Sequence, residues 1–86
     1  MTAIDSVALN RLRWRCRRGL LENDLLIERF FRRHEAALTG RQADGLEALM
    51  DLSDNDLLDA LLARREPPEA ARPEVREVLA LLRERF

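Results

Sequence analysis

Apolar residues along this chain recur at helical spacing rather than in strand alternation. Over residues 4–18 nothing breaks a helix, and Ala8, Leu12 and Cys16 repeat every four residues with Leu9 beside them, giving one apolar face. Gly19 interrupts the pattern. A second helix is predicted from about residue 21 or 22 to 38, with Leu26, Ile27, Phe30, Phe31, His34, Ala37 and Leu38 on one side. Thr39-Gly40 is expected to end it. A third helix over about residues 41–52 turns Ala43, Leu46, Leu49 and Met50 inward, with Gly45 as a weak point inside it. Ser53, with Asp56 three residues on, reads as the N-cap of a fourth helix containing Leu57, Leu58, Leu61 and Leu62. Pro67-Pro68 stops that helix. Pro73 suits the first turn of a fifth, along which Val75, Val78, Leu79, Leu82 and Phe86 follow one face.

Short connections between these segments imply neighbours packed antiparallel or at an angle. The expectation is an all-α, compact single-domain bundle of about five short helices spanning residues 1–86. Composition agrees, since leucine is the commonest residue while Gly and Pro number 3 each. A chain of 86 residues buries only about 60 to 65% of its unfolded surface, which argues against a deep substrate cavity.

Charge is unevenly distributed. Residues 1–33 hold eight arginines against four acids, 8 − 4 = +4, and the rest hold seven against twelve, 7 − 12 = −5. Every basic residue is arginine, whose forked guanidinium suits fixed recognition of carboxylates or phosphates. The single cysteine, Cys16, excludes an internal disulfide and a Cys-rich zinc site and fits a reducing compartment. No apolar run approaches the roughly 20 residues that span a bilayer, and the first residues lack the apolar stretch of a secretory signal. A cytoplasmic protein without membrane insertion is expected.

Candidate chemistry concentrates in residues 11–22. On a helical wheel Val7, Arg11, Trp14 and Arg18 form a ridge offset from the apolar face of the first helix. Trp and Arg are enriched where interfaces gain most of their energy. Composition by itself nevertheless favours Trp14 as a core residue with solvated arginines around it. Gly19 stands where a positive φ or the close approach of a partner backbone would call for glycine. Glu22 is placed to cap the second helix, to pair with Arg18, or to face a partner. Catalysis finds little support: Cys16 and His34 are the only thiol and imidazole, both on apolar faces, where a buried inert thiol and a satisfied core or boundary histidine are the ordinary readings. No metal cluster and no Gly-rich phosphate loop is present in the sequence. Nucleic-acid binding is the alternative suggested by the basic first third and short helices, and the acidic remainder argues against it.

Arg18-Gly19-Leu20-Leu21-Glu22 resembles the Arg-Gly-x-x-Glu motif of the SdhE family, bacterial counterparts of mitochondrial succinate dehydrogenase assembly factor 2. Trp14 upstream, Asp24 after the glutamate, the Phe30-Phe31 pair, the segment from Leu49 to Leu62 with its Asp54-Asn55-Asp56-Leu57 turn, and the later proline-containing linker are similar too. The resemblance implies an assembly factor that is not an enzyme. Its expected client is the flavoprotein subunit of succinate dehydrogenase, and in some bacteria that of fumarate reductase. The factor would promote formation of the client's histidyl-FAD bond and hold no cofactor of its own. The motif's position implies that Arg18, Gly19 and Glu22 meet the client, with Arg17, Trp14, Arg11 and Asp24 as surrounding surface. Some members have been described as antitoxin components, which keeps an antitoxin or nucleic-acid-binding protein as the alternative.

Overall fold

Side chains that satisfy the first free backbone N–H groups decide where three of the helices begin. In the computed structural model, which describes residues 4–17 and 20–84, Asp5 accepts from the Ala8 amide to start α1 (Ser6–Arg15). Thr39 and Gln42 form a reciprocal capping box at α3 (Gly40–Leu49), and Ser53 accepts from the Asp56 amide at α4 (Asp54–Leu61). Pro73 opens α5 (Pro73–Leu82), where its missing N–H costs nothing. The remaining helix, α2 (Leu21–His34), has no side-chain cap, but Glu22 and Asp24 lie in its first turn and Arg32, Arg33 and His34 in its last, each complementing the helix dipole.

The all-α expectation holds: the described residues form five α-helices plus short 3-10 turns at Glu35–Ala37 and Pro68–Ala71. Several boundaries move. α1 begins at Ser6 and stops at Arg15, leaving Ile4 outside the helix, where its amide donates to the Leu38 carbonyl at 2.9 Å and its side chain packs on the core. The second helix tightens to a 3-10 turn after His34, so Ala37 faces solvent rather than the core. Ala8 is likewise exposed. Thr39-Gly40 does not end a helix; it begins one, because the Thr39 hydroxyl and Gln42 amide complete a box that Gly40 enters as the first helical residue. Arg18 and Gly19, and Phe86 at the end of the last apolar stripe, lie outside the described residues.

α3 and α5 form the most extensive helix pair. Gly45 makes it possible, since a Cβ there would sit 2.8 Å from the carbonyl carbon of Glu74. The sequence suggested a weak point, and packing turns the same glycine into a close approach of two backbones. Around this pair Leu46, Leu49, Leu57, Val75 and Val78 are fully buried, and α2, which contacts α4 and α5, adds buried Ile27, Phe30 and Phe31 to the core. Buried Asn23 ties the first turn of α2 to α4 by donating its Nδ2 to the Asp54 carbonyl at 2.9 Å. The end of α5 is held by arginines: Arg29 donates to the Leu82 carbonyl, and Arg83 donates to the Ala60 carbonyl and pairs with Glu66. α1 lies at the edge: it buries Leu12, its C-cap Cys16 is buried too, and Leu9 packs half-buried on the core.

Candidate functional site

Because α1 is anchored by one narrow seam, most of its surface is left to face outward. Val7, Arg11 and Trp14 all lie on that outer side, and Trp14 is 71% exposed. The composition-based placement of Trp14 in the core is therefore overturned: the residues that carry α1 inward are Leu12 and Cys16, and Trp14 falls off their side of the helix. Arg17 follows in the closing turn, its amide donating to the Trp14 carbonyl at 3.1 Å and its guanidinium lying 5.5 Å from the indole centroid. Such stacking holds a cation and an aromatic face together as one recognition element.

Leu25 shares a groove with Trp14, and one turn before it on α2 stands Leu21; the two leucines are 61% and 65% exposed. Between the two helices runs a groove of about 640 Å³. Arg13, Trp14 and Arg17 form one wall, Asp24, Leu25 and Glu28 the other, and buried Cys16, Ile27 and Phe31 the floor. The groove is apolar at its base and oppositely charged on its two rims. Large exposed apolar side chains gathered beside fixed charges mark a surface built to meet another macromolecule.

The sequence-predicted residues are partly brought together. Trp14, Arg17 and Asp24 share the groove, Arg11 is exposed on the outer side of α1, and Glu22 is exposed in the first turn of α2. Glu22 does not cap α2, whose N-cap residue, Leu20, leaves the helix without a side-chain cap. Sequence reasoning missed Leu21 and Leu25, although they are apolar residues on the side of α2 opposite Ile27, Phe30 and Phe31. It also missed Asn23, whose bond to Asp54 fixes the turn that carries Glu22 and Asp24.

Cys16 is buried, and His34 directs Nε2 to the Glu84 carboxylate at 2.6 Å, the satisfied boundary histidine the sequence suggested. Among the described residues no group of three or more His, Cys, Asp and Glu side chains is placed to hold a metal ion, and no helix is long and apolar enough to cross a membrane.

Comparison with known proteins converges on one family. The family described as flavinator of succinate dehydrogenase matches residues 10–86. A protein of Ralstonia nicotianae named FAD assembly factor SdhE is 58% identical over 74 residues, covering 85% of this chain and 78% of the relative. Proteins of the same name from Coxiella burnetii and Legionella pneumophila are 38% and 32% identical, covering 73% and 93% of this chain and 77% and 96% of their own lengths. No solved structure matches.

Proposed function

We propose a mode of action that starts from one premise: the chain belongs to the family of succinate dehydrogenase flavinators. It is an assembly factor for the flavinylation of succinate dehydrogenase. The flavoprotein subunit docks on the outer surface of α1 and α2, where Trp14, Arg17 and Asp24 border the groove and Arg11 and Glu22 flank it. Arg18 and Gly19 stand in the chain between these two helices, and their place in the Arg-Gly-x-x-Glu motif is the ground for including them among the client contacts. The observation that carries this reading is the exposure of Trp14 in the groove it shares with exposed Leu25, since free solvent offers such side chains nothing and a partner surface does.

In this reading the chain contributes no catalytic group. Cys16 is enclosed and His34 is engaged by Glu84, so neither is offered to a substrate. The client supplies the histidine and carries the FAD, and the factor favours by differential binding the client arrangement in which that bond forms. The fumarate reductase flavoprotein is a second client of the same kind, and the cytoplasm is where both are met. A nucleic-acid partner lacks support: Arg13 and Arg15 of the basic first third are paired with Glu28, Glu35 and Asp51.

The test is reconstitution of the apo flavoprotein subunit with FAD and the purified factor, read by in-gel flavin fluorescence. Trp14→Ala, Glu22→Ala and Gly19→Arg are each expected to lower covalent flavin, by about tenfold or more for Trp14→Ala as befits an interface anchor, while circular dichroism stays unchanged. Undiminished flavinylation by all three variants would remove this surface from the mechanism.

A further inference from the structure

The roll of α1 about its own axis decides where Trp14 and Arg17 point, yet the helix has only a slender grip on the rest of the molecule. Half-buried Leu9, buried Leu12 and, at the C-cap, buried Cys16 form a single line on which a cylinder can turn. On the α2 side a groove separates the two helices, so close backbone packing does not fix the angle there. Two arginines flank the buried line. Arg15 reaches Asp51 beyond the end of α3, with Nη2 to Oδ1 at 2.9 Å, and both side chains are at least half exposed. Arg13 reaches the other way. It pairs with Glu35 in the 3-10 turn that follows α2, lies 3.8 Å from Glu28 on α2, and sets its guanidinium 5.3 Å from the ring centroid of buried Phe31.

From this geometry we infer that Arg13 is a positioning residue: it sets the roll of α1 against α2 and so presents Trp14 and Arg17 to the client, which it does not itself need to touch. Exposed ion pairs contribute little to stability, and that applies to Arg15 with Asp51. Arg13 differs because its planar head is held by two carboxylates and an aromatic face, a combination that fixes direction as well as distance. The inference rests on the reading that the α1–α2 surface meets the client, and it names a residue outside the Arg-Gly-x-x-Glu motif on which that surface depends.

The experiment uses the full chain with its sole tryptophan replaced by fluorotryptophan, so that the fluorine resonance reports the surroundings of Trp14. Flavinylation of the apo flavoprotein subunit is measured against factor concentration, giving a half-saturating concentration and a maximal rate. Arg13→Ala is expected to shift the fluorine resonance and raise half-saturation about fivefold, the size typical of residues that bias an arrangement without contacting the ligand, with the maximal rate unchanged. Glu35→Gln moves both readouts in the same direction by less. Arg15→Ala moves neither. Arg13→Glu is impaired like Arg13→Ala, and combining it with Glu35→Arg restores most of the loss, which simple weakening of the fold would not do. Arg13→Ala at wild-type half-saturation, or a charge-swapped double variant as impaired as the single, overturns the inference. Trp14→Ala in the same assay separates the two questions: if it has no effect the docking surface itself is wrong, and if it impairs binding while Arg13→Ala does not, only the role of Arg13 falls.

Discussion

Ala63 shows how a single residue can carry strain that a smaller one would release. It follows α4 with φ of 58°, and it closes the helix by the paired bonds of a Schellman motif, the Ala63 amide to the Ala60 carbonyl and the Arg64 amide to the Asp59 carbonyl. Left-handed backbone costs an L-residue with a Cβ about 1 to 2 kcal/mol, while glycine would lose about 0.4 to 1 kcal/mol more entropy on folding. Ala63→Gly should therefore raise stability by about 0.5 to 1 kcal/mol in urea melts. The site residues were legible to different degrees for equally local reasons. The offset of Trp14 from Ala8, Leu12 and Cys16 could be read from the wheel, but whether another element covers that ridge is a tertiary matter, and composition pointed the wrong way. Leu21 and Leu25 carried a signal in their four-residue spacing away from Phe30 and Phe31. Asn23 carried none, since a polar residue in a first turn ordinarily faces water.

At the scale of elements, caps explain both the successes and the errors. Ser53 with Asp56 announced its helix because the hydroxyl that bonds a free amide is close in sequence, and Pro73 announced the last helix because its fixed φ and missing N–H suit a first turn. Thr39-Gly40 misled because threonine before glycine fits a C-terminal stop as well as an N-terminal start, and only the return bond from the Gln42 side chain decides between them. Gly45 was misjudged for the opposite reason: its role lies in Glu74, which is distant in sequence. Gly45→Ala would gain about 1 kcal/mol in helix propensity, yet the added methyl overlaps the Glu74 backbone, and overpacking of this kind costs about 1 to 3 kcal/mol or more. The clash should win, lowering the thermal midpoint. Glu74 supplies a pH test of the same helix start. Its backbone hydrogen bond first, and then the bond from Arg72 at 2.5 Å, hold its carboxyl below the ordinary value of 4.5. A depressed pKa stabilises the fold above the unfolded value and loses that contribution as pH falls through the folded one. The stability gap between the natural chain and Glu74→Gln should accordingly be widest above pH 4.5 and shrink below it, as followed by denaturant melts across that range.

On the scale of the whole molecule, the helical class, the order of elements and most of the core followed from leucine spacing, because a small bundle must bury whichever stripe its helices offer. The pairing of α3 with α5, and the standing of α1 as an outlying helix, did not follow, since spacing within a segment says nothing about which segments meet. The opposite charges of the two parts of the chain become intelligible in the fold, where Arg13 and Arg15 bridge to acids of the later part, Glu35 in the 3-10 turn after α2 and Asp51 beyond the end of α3. That α3 packs so closely on α5 also sets a schedule for biosynthesis. Translation proceeds at about 5 to 20 residues per second, so the 82 − 34 = 48 residues separating the end of α2 from the end of α5 correspond to roughly 2 to 10 seconds. Throughout that interval α2 has no completed α5 to lie against, Arg29 has no Leu82 carbonyl to hold, and the exposed face of α1 and α2 has emerged from the ribosome without the framework that steadies it.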